Sequence, residues 1–233
     1  MALALSALGC AEEAAIGDVN ALQGSPDGRP ASSGAGTLGP SPAWVAQANQ
    51  APGYVALAYP PPPYGNTTGT VAANMRFAGW LDPLAAAYDP TQSSVVEFAQ
   101  FYDPDNTKDV EFLLVSAVAV WCGVCQQEYA DLDSAQVYKK MRPRGVQMLG
   151  ILFEDNDGQP AAYSDLKNWA SAFRVGFPFV LDPSFNSGVY FDRSATPMNM
   201  LIDAKTMKIV WVITGYDPDA YDQLDRLLTQ RGR

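Results

Sequence analysis

Residues 112–125, Phe-Leu-Leu-Val-Ser-Ala-Val-Ala-Val-Trp-Cys-Gly-Val-Cys, decide the fold class of this chain. The first part, Phe112–Val120, is a near-continuous apolar run of strand length, which is typical of a strand buried on both faces of a sheet. From Val124 to about Lys140, apolar residues recur near helical spacing and predict a helix. Cys122 and Cys125 therefore lie where a buried strand gives way to a helix.

Similar patterns predict further elements before and after this junction. Upstream, residues 74–79 predict a short strand, and residues 95–101 predict a short helix or strand. Downstream, strands are predicted over 146–153, 177–181, 198–202 and 208–214, and helices over 165–173 and 219–230. The order β-α-β-α-β, followed by β-β-α, predicts a mixed central sheet that is covered by helices on both faces.

The position of the cysteine pair predicts redox chemistry. A cysteine at a helix N-terminus lies beside free backbone N–H groups and the positive end of the helix dipole, which favour the thiolate. Such a position lowers a thiol pKa from about 8.5 to roughly 3.5–7.5. We therefore predict that Cys122 is the attacking thiol and that Cys125, one helical turn deeper, resolves the mixed disulfide. Two less favoured alternatives remain open: half of a zinc site, and a pair of structurally buried thiols.

Composition excludes several other classes of function. The 233 residues include 15 basic and 25 acidic side chains, and the resulting net charge of −10 opposes binding to nucleic acid or anionic lipid. The chain has no histidine, which excludes Ser-His-Asp and Cys-His catalysis and histidine-ligated metals. Because Cys10 is the remaining cysteine, tetrahedral zinc ligation cannot be completed within one chain. We expect no metal site and no cofactor beyond the redox-active disulfide.

The N-terminal residues are typical of an anchor followed by a tether. Residues 1–10, Met-Ala-Leu-Ala-Leu-Ser-Ala-Leu-Gly-Cys, resemble the end of a bacterial lipoprotein signal peptide, with cleavage before Cys10 and lipid attached to its sulfur. The alternative is an apolar N-terminus with an incidental cysteine, because the stretch lacks basic residues and Ala7 stands where leucine is usual. Residues 11–65 hold half of the 18 prolines and predict a disordered linker before a domain at 66–233.

The motif and its downstream partner identify a family resemblance. The strand–Trp121-Cys-Gly-Val-Cys125–helix arrangement, followed by Ala195-Thr-Pro197 and a strand, resembles the thioredoxin-like superfamily. Glu128, three residues after the second cysteine, matches the Cys-x-x-Cys-x-x-Glu pattern of its TlpA/ResA-type branch of bacterial extracytoplasmic oxidoreductases. The additional helix and strand between Asp165 and Pro183 match the central insertion of that branch. The resemblance covers about residues 66–233 and implies a three-layer thioredoxin-like sandwich.

The resemblance also implies a function and a site. The expected activity is thiol–disulfide exchange with protein substrates in the periplasm or cell envelope, in the reductive direction, with an upstream thiol donor and a membrane contact only through lipidated Cys10. Thr196-Pro197 is expected to be cis and to face the disulfide, where it binds substrate. The expected substrate-binding residues of the motif itself are Trp121, Gly123 and Val124.

Glu128 is expected to act as a proton acceptor for the cysteine pair, because a buried carboxylate titrates near neutrality. The alternative is a solvated carboxylate in the first turns of a helix. This chain departs from the family at three places beside the motif: Val124 replaces the usual proline, Ser116 replaces the buried aspartate of thioredoxin, and Val118-Ala119-Val120 replaces the commoner Trp-Ala-Thr type of sequence. No other acidic residue of the motif's neighbourhood is obvious from the sequence.

Two other functions remain as alternatives. A copper(I)-binding module would use both thiols as soft ligands, although the absence of histidine disfavours it. A peroxiredoxin-like peroxidase shares this type of sheet, but it expects a threonine or serine three residues before its reactive cysteine. Ala119 occupies that position here, so the peroxidase interpretation fails at the motif.

Overall fold

The computed structural model describes residues 55–233. Residues 1–10, with Cys10, and residues 11–54 of the predicted linker lie outside the described part, so what was predicted for them stays a prediction. In the described end of that linker, the Tyr59 hydroxyl donates a hydrogen bond to the Ala72 carbonyl at 2.9 Å, and its ring packs edge-on against Tyr102. This end of the linker therefore lies against the domain, and the prediction of disorder is wrong for residues 59–65.

A mixed seven-stranded sheet forms the centre of the described residues. Its strands are β1 (Arg76–Trp80), β2 (Ser94–Glu97), β3 (Phe112–Ala119), β4 (Val146–Glu154), β5 (Phe179–Leu181), β6 (Met198–Asp203) and β7 (Lys208–Thr214). Their spatial order is β2-β1-β5-β4-β3-β6-β7; β3, β4 and β5 pair in parallel, and the other neighbours pair antiparallel. This arrangement confirms the predicted fold class.

Helices connect and follow these strands. They are α1 (Gly123–Ser134), α2 (Val137–Met141), α3 (Tyr163–Ala172) and α4 (Asp219–Gln230), and short 3₁₀ helices occur at Pro90–Gln92, Phe98–Phe101, Arg142–Arg144 and Asn186–Val189. The predicted helix or strand over 95–101 contains both, since β2 runs directly into a 3₁₀ helix. Within residues 55–233, none of the helices combines the length and apolar character that a membrane span needs.

Strand β3 lies inside the sheet and ends at the cysteine motif. All of its residues are buried, and it pairs with β4 on one side and β6 on the other. Burial on both faces explains why its sequence is an uninterrupted apolar run instead of an alternating one. The strand therefore delivers Cys122 to one edge of the sheet from a rigid base.

The core beneath α1 is aromatic. Tyr129 of α1 packs edge-on against Trp169 of α3, with ring centroids 5.3 Å apart, and also contacts Phe179 of β5. Each such aromatic pair is worth about 0.5–1.5 kcal/mol beyond its buried area. Gly150 of β4 permits this approach, because a Cβ there would lie 2.5 Å from both the Tyr129 hydroxyl and the Phe179 ring.

The single helix predicted from Val124 to Lys140 is wrong, because the chain breaks between α1 and α2. Gln136 adopts a left-handed conformation with φ 51° at this break. In one straight helix, Tyr129 and Tyr138 would lie about half a turn out of phase. The break allows both rings to pack against Phe177, with centroids 6.0 and 5.4 Å away. Tertiary packing therefore overrides local helical periodicity here.

Candidate active site

Cys122 and Cys125 form a disulfide at the start of α1. Cys122 is the N-cap residue of the helix, and the Cys125 backbone N–H donates to the Cys122 sulfur at 3.1 Å. Cys125 is fully buried, whereas 5% of Cys122 remains exposed. The Cys122 sulfur thus occupies the position where helix N–H groups stabilise a thiolate.

The loop before β6 lies directly against this disulfide. The Thr196–Pro197 peptide bond is cis, as predicted. The Thr196 carbonyl oxygen lies 3.8 Å from the Cys122 sulfur, and the Thr196 hydroxyl lies 3.7 Å from the Cys125 sulfur. The same hydroxyl donates to the Ala117 carbonyl of β3 at 3.2 Å, which ties the loop to the central strand.

The residues predicted to bind substrate surround the disulfide but differ in exposure. Gly123 and Val124 are exposed, and 53% of the Val124 side chain is accessible. Trp121 and Thr196 are half-buried, whereas Pro197 is buried behind the loop. The structure therefore brings these positions together at one surface, and their role toward a substrate stays a prediction.

Glu128 lies inside the protein, one helical turn after Cys125. It is 1% exposed, so the interpretation as a solvated helix carboxylate is wrong. Its Oε1 accepts hydrogen bonds from the Asn199 amide at 2.6 Å and from the Tyr221 hydroxyl at 3.3 Å. Among the described residues, none binds the other oxygen, Oε2. Burial raises the pKa of Glu128 to about 7, and the two hydrogen bonds oppose that rise.

Ser116 of β3 lies in register with Asn199 of β6, in the layer that holds Glu128. Its hydroxyl is buried. Glu128 thus supplies a buried carboxyl group near a position where thioredoxin carries one on the strand. Asn199 and Tyr221 were not predicted as part of this site, although an asparagine within the apolar stretch Met-Asn-Met-Leu-Ile is a signal for a buried polar contact.

A second buried carboxylate, Glu154, lies at the end of β4 and was also missed. It is 2% exposed. The Trp121 indole N–H donates to its Oε2 at 2.7 Å, and Arg193 forms an ion pair with its Oε1. An acidic residue at the end of an otherwise apolar strand was the available sequence signal.

Within residues 55–233, no three Cys, Asp or Glu side chains lie close enough together to share a metal ion. The two cysteine sulfurs are therefore the soft ligands that this site offers.

The fold and the site together define a thioredoxin-like protein with a Cys-x-x-Cys disulfide at a helix N-terminus. The AhpC/TSA family model matches residues 93–211, and the chain belongs to this family. The match spans the cysteine motif, Glu128, Glu154 and the Thr196-Pro197 loop.

Individual relatives agree with this assignment. The thiol:disulfide interchange protein DsbE of Allochromatium vinosum is 26% identical over 142 residues, which cover 58% of this chain and 73% of the relative. A Chlorobium tepidum structure, provisionally named a thiol:disulfide interchange protein DsbE, shares the fold with a TM-score of 0.51 and 16% identity over 72% of this chain and 98% of that one. A DsbF homologue from Corynebacterium diphtheriae has a TM-score of 0.50 and 16% identity over 73% and 99% of the two chains.

Proposed function

We propose that this chain is a thiol–disulfide oxidoreductase that exchanges its Cys122–Cys125 disulfide with protein substrates. The observation that carries the proposal is the Cys122 sulfur, which accepts the Cys125 N–H and lies against the Thr196 carbonyl. This arrangement favours a Cys122 thiolate and leaves it beside a loop that an extended polypeptide can contact. The DsbE relative of A. vinosum supports the same activity.

The exchange proceeds in two steps, and in each step one disulfide bond forms while another breaks. In the reduced protein, the Cys122 thiolate attacks a substrate disulfide; a Cys122–substrate bond forms, and the departing substrate sulfur takes a proton. Cys125 then loses its proton and attacks the Cys122 sulfur. The internal disulfide forms again, the second substrate thiol leaves, and the substrate has gained two electrons and two protons. An upstream dithiol donor restores the reduced protein.

Glu128 is positioned to accept the proton from Cys125. The two residues are three positions apart on one helix, so their side chains project from the same face. With a pKa of about 7, Glu128 exchanges a proton readily near neutral pH, and its Oε2 has no partner among the described residues. The deprotonated Cys125 that resolves the mixed disulfide is then available without a strong external base.

The proposed cellular setting is extracytoplasmic, as in the TlpA/ResA-type branch, with Cys10 lipidated and the part of the 11–65 linker that precedes Tyr59 holding the domain away from the membrane. The support is the sequence of residues 1–10 and the match of Glu128 to that branch. Mass spectrometry of the membrane fraction should find Cys10 as the lipidated first residue of the mature protein. An N-terminus elsewhere, or unmodified Cys10, contradicts the anchor but not the activity.

The activity is tested by trapping the intermediate. Cys125→Ser should accumulate a mixed disulfide between Cys122 and a disulfide-bonded substrate protein, because the resolving sulfur is gone, whereas Cys122→Ser should form none. Non-reducing electrophoresis measures both. Equal trapping by the two variants contradicts the assignment of Cys122 as the attacking thiol. Turnover of hydrogen peroxide by Cys125→Ser, or tight copper(I) binding without disulfide exchange, supports the peroxidase or copper alternative instead.

A further inference from the structure

Glu154 connects the two loops that face the disulfide. Trp121 belongs to the loop between β3 and α1 and directly precedes Cys122. Arg193 belongs to the loop between β5 and β6, four residues before Pro197. One carboxylate binds both side chains, because Trp121 donates to Oε2 and Arg193 pairs with Oε1. The distance between the two loops is therefore limited by the size of one side chain that contacts both of them.

The base of this link is rigid. Every residue of β4 is buried, and the Glu154 carbonyl accepts the Val120 N–H at 2.9 Å, two residues before Cys122. The backbone of the motif loop is therefore attached to the same residue that holds the Trp121 indole. A carboxylate on an ordered strand can orient its partners without further loss of chain entropy.

Arg193 also contacts an aromatic ring. Its guanidinium lies over the Phe185 ring, 4.5 Å from the ring centroid. Phe185 packs against Phe153, the residue before Glu154, with ring centroids 4.9 Å apart. Such a cation–π contact attracts the guanidinium to the ring face. The guanidinium thus contacts an anion and an aromatic ring. The anion is the last residue of β4, and the ring packs against the residue before it.

Electrostatics keeps the pair together. The Glu154 side chain is 3% exposed, and a buried carboxylate without a counterion is strongly destabilised. Arg193 supplies that counterion while 43% of its own side chain stays accessible at the surface. Movement of Arg193 away from Glu154 would therefore leave a buried carboxylate without its counterion.

We propose that Glu154 is a positioning residue that sets the spacing of the two loops between which a polypeptide substrate binds. This inference rests on the proposed function, because it assumes that substrate lies across Trp121 and Thr196. Glu154 itself transfers neither protons nor electrons. Its loss should therefore weaken substrate binding and leave the chemical step nearly unchanged.

The test compares a peptide disulfide with a small disulfide. For reduction of a peptide that contains one intramolecular disulfide, Glu154→Gln and Arg193→Ala should each raise KM roughly tenfold and change kcat by less than about twofold. Reduction of a small aryl disulfide (Ellman's reagent), which does not span the loops, should proceed at the wild-type rate. In the double variant, Arg193→Ala should add little to Glu154→Gln, because both act through one contact.

Matched variants exclude general damage. Asp133→Asn removes an ion pair with Arg174 in the last turn of α1 and should leave KM unchanged. Arg193→Lys keeps the charge and should therefore have a KM between those of Arg193→Ala and the wild type. If Glu154→Gln does not fold, the comparison of Arg193→Ala with Arg193→Lys tests the proposal by the same KM measurement.

The outcomes separate the two proposals. The positioning role is overturned if KM is unchanged in both Glu154→Gln and Arg193→Ala. It is also overturned if these variants lose rate equally with the peptide and with Ellman's reagent. In either case, reduction of the peptide by the wild-type protein still supports the proposed function. A wild-type protein that cannot reduce the peptide disulfide overturns the proposed function, and the positioning role with it.

Discussion

Two buried carboxylates near the same disulfide motif have different neighbours. Glu128 is 1% exposed and accepts hydrogen bonds from neutral groups, the Asn199 amide and the Tyr221 hydroxyl. Glu154 is 2% exposed and pairs with the charged guanidinium of Arg193. Neutral donors offset less of the cost of burying a charge than a cation does. The comparison teaches that two carboxylates buried to nearly the same depth can have neutral partners in one case and a cation in the other, and it leads to different predictions for their variants.

The largest expected difference between the two concerns the chemical step. Glu128→Gln keeps the shape and removes the proton acceptor, so it should slow resolution of the mixed disulfide by roughly 10²-fold above about pH 6, most clearly near pH 7 and higher. Glu154→Gln should leave this step unchanged. Single-turnover decay of the mixed disulfide, measured across pH, checks both variants. Matching rates for Glu128→Gln and wild type would reduce Glu128 to a structural carboxyl group.

The next difference concerns stability against pH. Because the pKa of Glu128 rises from 4.5 to about 7 on folding, the folded state binds the proton more tightly than the unfolded state between those values. The free energy of unfolding should therefore fall as pH rises through that window, by a total of roughly 3 kcal/mol. Urea unfolding of the oxidised protein at pH 5 and pH 8 measures this fall.

Glu128→Gln is the control for that measurement. It has no proton to lose, so its free energy of unfolding should not show this fall, and its stability relative to wild type should increase with pH. Parallel curves for the two proteins would show that Glu128 does not titrate in the window.

The smallest expected effect concerns the partners of Glu128. Tyr221→Phe removes a donor that favours the ionised carboxylate, so the pKa of Glu128 should rise further, by less than about one unit. Asn199→Ala should raise it more, because its amide is closer, at 2.6 Å against 3.3 Å. Carbon-13 NMR titration of the Glu128 carboxyl group measures these shifts.

A neighbouring tyrosine serves as the matched control. The Tyr216 hydroxyl donates to Asp131 and not to Glu128, so Tyr216→Phe should leave the pKa of Glu128 close to its wild-type value. A lower pKa in Tyr221→Phe would contradict the assignment of its hydroxyl as a donor to the carboxylate.

Local signals were sufficient to predict the cysteine site and the central strand. The apolar run Phe112–Val120 is typical of a strand that is buried on both faces of a sheet, and a cysteine that follows such a strand and begins a helix meets free N–H groups. The prediction of a cis Thr196-Pro197 bond beside the disulfide depended on a family resemblance. Sequence spacing alone does not show that a loop more than 70 residues away meets the cysteines. The contact between Thr196 and the Cys122 sulfur is visible only in the folded structure.

What the sequence by itself determined is therefore most of the elements and the place of the cysteine pair, because periodicity and helix ends are properties of neighbouring residues; the break between α1 and α2 depends on tertiary packing. Only the tertiary structure decided the environment of the acidic groups. Glu128 meets Asn199 and Tyr221 because β6 and α4 return to α1, and Glu154 meets Arg193 because the β5–β6 loop returns to β4. Burial and charge pairing arise from contacts between distant parts of the chain, which the local pattern of residues does not reveal.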